Sequence, residues 1–152
     1  MIDLGPIDRR ILAALQSDAT LSIADLAERV GLSQTPCWKR IKRLEAAGVI
    51  TGRVALLDRA LLGVGTTVFV SVRTSQHDED WLVQFADAIR AIPEVTEFYR
   101  MSGDVDYLLK IVCRDIADYD RIYKSMIRSA RLSDVSSSFA MEQIKYTTEV
   151  PL

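Results

Sequence analysis

The chain has 152 residues, 49% of them apolar and 26% charged, a composition that suits one moderate core or two small ones and shows no low-complexity tract and no repeat. Its formal charge of −2 divides unevenly: residues 1–62 carry nine basic and seven acidic side chains, a net of +2, and residues 63–152 carry ten and fourteen, a net of −4. No stretch approaches the roughly 18–20 apolar residues of a membrane span and MIDLGPIDRR lacks an apolar signal region, so a soluble, cytoplasmic protein with no membrane partner is expected.

Pro6 opens a first predicted helix, in which Ile7, Ile11, Leu12 and Leu15 recur at helical spacing until Ser17-Asp18. Ser22 is placed to cap a second helix, with Asp25 in its first turn and Ile23, Leu26, Ala27 and Val30 as its apolar stripe. Gly31 is expected to end that helix in the left-handed conformation, with Leu32 turning back to the core. Ser33 then caps a third helix, whose first turn accommodates Pro36 because a missing N–H there costs no intrahelical bond.

At about 100° per residue, Cys37, Trp38, Ile41 and Leu44 gather on one side of the third helix, Lys39, Lys42 and Arg43 project from the other, and Arg40 sits at the border. Such a basic face on an isolated helix is ordinarily just solvated. Preceded by a capped helix and a glycine turn, it reads instead as the second helix of a helix-turn-helix unit, whose partner is duplex DNA. After Gly48, VITGRVALLD predicts a short strand or hairpin, the wing of a winged helix, where Arg53 is either a phosphate contact or an exposed turn residue. The DNA-binding domain is therefore placed at residues 1–55, and LDRALLGVG marks a linker at 56–64.

From Gly65 the period changes. In TTVFVSVRT, Val68, Val70 and Val72 alternate with Thr67, Phe69, Ser71 and Arg73, as a strand requires. Trp81, Leu82, Phe85, Ala88, Ile89 and Ile92 stripe a helix that Pro93 stops; VTEFYRM and DYLLKIVC flank a hairpin-type connection at Ser102-Gly103-Asp104-Val105. A further helix places Ile116, Tyr119, Ile122, Tyr123, Met126 and Ile127 at core spacing, and SSFAMEQIKYTT closes as a strand. The order strand, helix, strand, strand, helix, strand predicts an α+β, ferredoxin-like βαββαβ sandwich over 65–152, behind the winged helix-turn-helix. Helices on one face leave the other bare. Phe69, Tyr99, Leu109 and Phe139 are available to either face, so a homodimer is expected.

Cys37 and Cys113 form no CxxC pair and have no His cluster nearby, so small buried thiols are expected in place of a disulfide or metal site. The only histidine, His77, falls beside Asp78, Glu79 and Asp80 at a strand-to-helix junction and reads as a loop or capping residue. With no phosphate loop, nucleophile elbow or paired catalytic spacing, the chain is not expected to be an enzyme. At the N-terminal end of the third helix, Ser33, Gln34 and Thr35 are the candidates for base or nearby phosphate contacts. Lys39, Lys42 and Arg43 are placed to neutralise phosphates, Arg43 also being able to read guanine; Arg40 could contact DNA or brace the helix. The reading that competes from another class is an amino-acid-binding interaction module whose basic helix meets a protein.

LSQTPCWKRIKRLEAAGVI, followed after a linker by a βαββαβ domain that contains SGDVDYLLK and ends MEQIKY, resembles the leucine-responsive/asparagine-responsive (Lrp/AsnC) transcriptional regulators over nearly the whole chain. TPCWKRIKRLE together with SSFAMEQIKYTT looks like the DecR branch of that family. The resemblance implies a DNA-binding regulator that dimerises, assembles further into tetramers or octamers, and responds to a small-molecule amino acid where the hairpins of neighbouring dimers meet. Carried over by position, it puts Gly103, Asp104 and Asp106 at that pocket, with Tyr107 beside them and Ser136 or Ser138 from the last strand. A carboxylate there would pair with the ammonium of an amino acid, and exposed loop amides with its carboxylate. Gly103 equally suits a turn without ligand. No cofactor is implied beyond this effector, for which cysteine or another small amino acid is plausible on the branch resemblance.

Overall fold

The computed structural model describes residues 3–75, 79–129 and 134–152. They divide into two compact units: Met1–Leu56 together with Lys145–Leu152, and Leu57–Ile144. The C-terminal tail thus goes with the helical unit and not, as the 65–152 boundary had it, with the sheet. Its attachment is specific: Val150 donates its amide to Gln16 Oε1 at 2.6 Å, and Gln16 Nε2 donates back to the Val150 carbonyl at 3.1 Å.

The first unit contains α1 (Pro6–Ser17), α2 (Ile23–Val30) and α3 (Gln34–Ala46). Ser22 Oγ accepts from the Asp25 amide at 3.1 Å and donates to its carboxylate at 2.6 Å, so the start of α2 is capped as its sequence predicts. Gly31 has φ +70°, the left-handed value that a side chain would make costly, and the Leu32 amide reaches back to the Ala27 carbonyl at 2.9 Å. Ser33 takes the extended backbone of an N-cap, but its side chain makes no capping hydrogen bond. Ile11, Leu12, Leu26, Val30, Cys37, Ile41 and Leu44 form the core. Trp38 does not join them: it is 48% exposed. It lies about a quarter-turn from the axis of the Cys37/Ile41/Leu44 stripe, so its large ring emerges at the border.

The hairpin expected over VITGRVALLD is not formed; residues 51–58 carry no regular secondary structure, and Val54, Leu56 and Leu57 are exposed. A two-stranded ribbon with nothing packed on it is marginal in water, and this segment has no third strand to join. The linker that follows is ordered by a helical turn: Asp58 Oδ1 caps the amides of Ala60 and Leu61, and Leu62 donates to the Asp58 carbonyl at 3.2 Å.

The second unit runs β1 (Thr66–Arg73), α4 (Glu79–Arg90), β2 (Val95–Arg100), β3 (Tyr107–Cys113), α5 (Ile116–Ser129) and β4 (Asp134–Phe139). The strands form one antiparallel sheet in the order β2-β3-β1-β4, the ferredoxin-like arrangement. Val68, Val70 and Val72 face the same way as Tyr107, Leu109 and Ile111, and this face is covered by Phe85 and Ile89 of α4 and by Tyr119, Ile122 and Met126 of α5. Phe85 stacks on Trp81 at 5.0 Å and meets Phe98 and Tyr107 edge-on. Cys113 belongs to this core and Cys37 to the other; both are free, and burial pushes both thiols above their ordinary pKa.

Three expectations differ. Ile116 is exposed where α5 begins and Ile127 is partly so, because the core-facing stripe runs through Tyr119, Ile122 and Met126. The last strand is Asp134–Phe139, so most of the predicted SSFAMEQIKYTT strand is coil; the ladder to β1 ends where Phe139 meets Val68. Leu109 and Phe139 lie on the helix face, leaving Phe69 and Tyr99 on the open one. His77 lies outside the described residues. Among those described, no helix is long and apolar enough to cross a membrane.

Candidate nucleic-acid interface and effector hairpin

Helix α3 follows the Gly31 turn, with Cys37, Ile41 and Leu44 buried beneath it. Thr35, Lys39 and Lys42 recur at i, i+4 and i+7 on the side away from that core, and all three are exposed, as are Ser33 and Gln34 at the helix start. The structure therefore brings the predicted polar residues onto one outward stripe. Lys39 makes no ion pair with a described residue.

The other cations are engaged. Asp8, in the first turn of α1 and only 2% exposed, accepts from Arg40 Nη1 at 3.0 Å and from Arg43 Nη2 at 2.6 Å, and its Oδ2 also accepts from the Gly5 amide at 3.2 Å. Burial pushes the Asp8 pKa up, but the hydrogen bonds and charges of the two guanidinium groups outweigh it and hold the carboxyl below its ordinary value. Glu45 takes Lys42 at 2.8 Å and Arg53 at 3.3 Å, and the bond from Lys42 is the chief reason its pKa is lowered. Arg40 thus braces the helix, and Arg43, expected to be free for phosphate or guanine, is tied to the same acid. Arg53 lies on coil instead of a wing strand.

In the second unit the residues of the GDVDY segment fasten the β2–β3 connection to the end of β1. Gly103 has φ +119°, a conformation open to glycine, and a Cβ there would meet nothing, so backbone torsion is what selects the residue. The Asp104 carbonyl accepts from Arg73 Nε at 2.7 Å while its carboxylate side is exposed. Asp106 donates its amide to the Val72 carbonyl at 3.0 Å and accepts from the Thr74 amide at 2.8 Å, which gives this acid at the head of an apolar strand its partner.

Tyr107 departs from its assigned place. Its ring is 5% exposed and packs with Trp81, Phe85 and Phe98, so it supports the hairpin from the core. Ser136 and Ser138 are exposed on β4 opposite Ser71 and Phe69, on the face without helices. Ser137 between them points the other way and bonds the Tyr119 hydroxyl. The register carries Ser71 and Ser136 toward the sheet end that holds Arg73 and the hairpin; Ser138 lies further from it. Among the described residues, no group of three or more His, Cys, Asp or Glu is placed to hold a metal ion.

Asp8 and Glu45 were not among the predicted site residues. Glu45 was detectable as an i+3 partner of Lys42, whereas nothing local connects Asp8 with residues 32 and 35 positions later.

Residues 4–51 match the winged helix-turn-helix DNA-binding family and residues 67–150 the Lrp/AsnC ligand binding domain. The chain is 51% identical to the DNA-binding transcriptional activator DecR of Escherichia coli, over 98% of this chain and 99% of that protein. It is 49% identical to the glutamate uptake regulatory protein of Zymomonas mobilis, over 98% of this chain and 91% of the other. Among solved structures, an AsnC family transcriptional regulator from Agrobacterium tumefaciens superposes with a TM-score of 0.94 at 58% identity, over 97% of this chain and 96% of that one. A transcriptional regulator from Neisseria meningitidis in an L-Met complex superposes with a TM-score of 0.92 at 33% identity, over 98% of this chain and 97% of that one.

Because Asp8 has a lowered folded-state pKa, its contribution to stability is complete above the unfolded carboxylate value, about 3.9, and is lost as pH falls through that value toward the folded one. Denaturant titrations from pH 7 downward should therefore show a steeper loss of stability below about pH 4 in the wild type than in Asp8→Asn. Parallel pH profiles would contradict the pairing.

Proposed function

We propose, from the premise that this chain belongs to the Lrp/AsnC family of transcriptional regulators, that the stripe Thr35, Lys39 and Lys42, with Ser33 and Gln34 at its head, is the surface that meets DNA. The chain is a DNA-binding transcriptional regulator with an amino-acid-responsive ligand-binding unit. The observation that carries the contact assignment is the direction of α3: three exposed polar side chains share one line, backed by Cys37, Ile41 and Leu44. Ser33, Gln34 and Thr35 suit base or nearby phosphate contacts, and Lys39 and Lys42 suit phosphates. Arg53 joins them once it exchanges Glu45 for a phosphate. The relatives are named as regulators, which supports a regulatory and not an enzymatic role.

The working form we propose is a dimer joined through the open face of the sheet, where Phe69 and Tyr99 stand exposed around the Lys110–Glu97 ion pair of 2.6 Å. Such a dimer spaces two copies of α3 for a pseudo-palindromic operator, and assembly to a tetramer or octamer extends it. The effector is a small amino acid, its ammonium met by the carboxylates of Asp104 or Asp106 and its carboxylate by loop amides near Gly103. The named glutamate and L-Met relatives make an amino acid the natural class, with cysteine among the choices. A ligand that favours one assembly shifts the population able to span the operator.

Gel shifts on the DNA upstream of the chain's own gene, with and without amino acids, test the whole. Lys39→Ala with Lys42→Ala should weaken binding to any sequence and reduce the slope of log affinity against log salt by roughly two; an unchanged slope would place DNA elsewhere. In a thermal-shift screen of the twenty amino acids, Asp106→Asn should lose most of the rise caused by the best ligand while keeping an acceptor for the Thr74 amide. A full response would remove Asp106 from the pocket. A monomer in sedimentation at micromolar concentration would rule out the dimer.

A further inference from the structure

Charge alone would send every cation of α3 to DNA, yet Arg40 and Arg43 converge on one inward carboxylate. The geometry is asymmetric. Asp8 is 2% exposed, whereas the Arg40 and Arg43 side chains are 37% and 50% exposed, so the acid is sealed and each guanidinium keeps an outer edge in solvent. Among the described residues these are the only side-chain hydrogen bonds between α1 and α3. They are anchored in turn, because the same carboxylate accepts from the Gly5 amide at the start of α1.

A guanidinium has donors in a fixed planar fork, and a carboxylate that engages one edge leaves the rest aimed in a set direction. Arg43 spends Nη2 on Asp8 and retains outward donors on an exposed face of α3. Ordering a free arginine costs rotamer entropy when DNA arrives; one already held has lost it in advance. Against this, a negative charge behind the helix weakens its attraction for phosphate in general.

We infer that Asp8 is a positioning residue for operator recognition: it fixes the angle of α3 and the direction of Arg43, giving up general affinity for DNA in exchange for discrimination between sequences. The inference rests on the DNA-binding assignment above. Glu45 supplies the contrast, since it also neutralises two cations of this surface, Lys42 and Arg53, but from a half-buried position and without bridging to α1.

The experiment selects an operator for the wild-type chain from a random duplex pool, then measures anisotropy titrations on that operator and on a scrambled duplex across a salt series. Asp8→Asn, which keeps an acceptor for Gly5, should bind the scrambled duplex about 2–3-fold more tightly and lose about tenfold in its operator-to-scrambled ratio. Glu45→Gln removes one charge from the same surface and should tighten scrambled binding similarly while its ratio stays within about twofold of wild type. Arg43→Lys keeps the charge and removes the fork; it should lower the ratio without changing the salt slope, and it answers the question even if Asp8→Asn fails to fold. An unchanged ratio in folded Asp8→Asn or in Arg43→Lys, or an equal loss in Glu45→Gln, overturns the inference. A wild type that enriches no sequence overturns the premise, and with it the inference.

Discussion

A helix that carries Lys39, Arg40, Lys42 and Arg43 within five consecutive residues repels itself, because like charges three and four positions apart face one another. The first unit is arranged around that constraint. Asp8 from α1 takes the two arginines on one flank of α3, and Glu45 from its last turn takes Lys42 and Arg53 on the other. The two acids differ in kind. Asp8 is buried and hydrogen-bonded on both oxygens, so it acts as a fixed part of the fold, whereas pairs made by Glu45 are exposed to solvent and exchange with a passing anion at little cost. Between them Lys39 and Thr35 are left facing outward, on a helix whose charge is already partly organised.

The second unit solves a different problem. Two helices cover one face of its sheet, and the face they leave holds Phe69, Tyr99, Leu108 and the Lys110–Glu97 pair. A sheet with one greasy and one mixed surface suits association between copies, while the hairpin at its end is held by hydrogen bonds to the Val72 carbonyl, the Arg73 side chain and the Thr74 amide. Those bonds use the Asp106 carboxylate as a structural acceptor before any ligand is considered. Its geometry is therefore set in advance, as a recognition site requires, although the same bond shows that an acid at that position has a use without a ligand.

Local chemistry made the elements readable. Ser22 with Asp25, Gly31, and the alternation of Val68, Val70 and Val72 are signals whose cause and effect lie within a few residues, and each appears as expected. The errors fall where the deciding partner is distant or absent. The wing strand needs something to pair with; Trp38 stands at the edge of its stripe, where size tips it outward; and the final strand leaves its ladder at Phe139, opposite Val68, with nothing in its own residues to mark the end. At the site, the outward stripe of α3 was legible from helical spacing. The tie from Arg43 to Asp8 was not, since it depends on how α1 and α3 approach each other, and Tyr107 was misplaced because strand alternation turns its ring to the opposite face from Leu108.

The tail bears on the order in which the helical unit is completed. The chain leaves the helical unit near Leu56, builds the whole sheet unit, and returns near Ile144 to bond Gln16 through Val150. Two covalent crossings join the units where most linkers provide one. The helical unit is therefore discontinuous in sequence, closed by a pair of hydrogen bonds between residues 134 positions apart. A helical unit assembled from both flanks of the sheet unit is complete only after residues 145–152 have been made, so its last hydrogen bonds close late in synthesis.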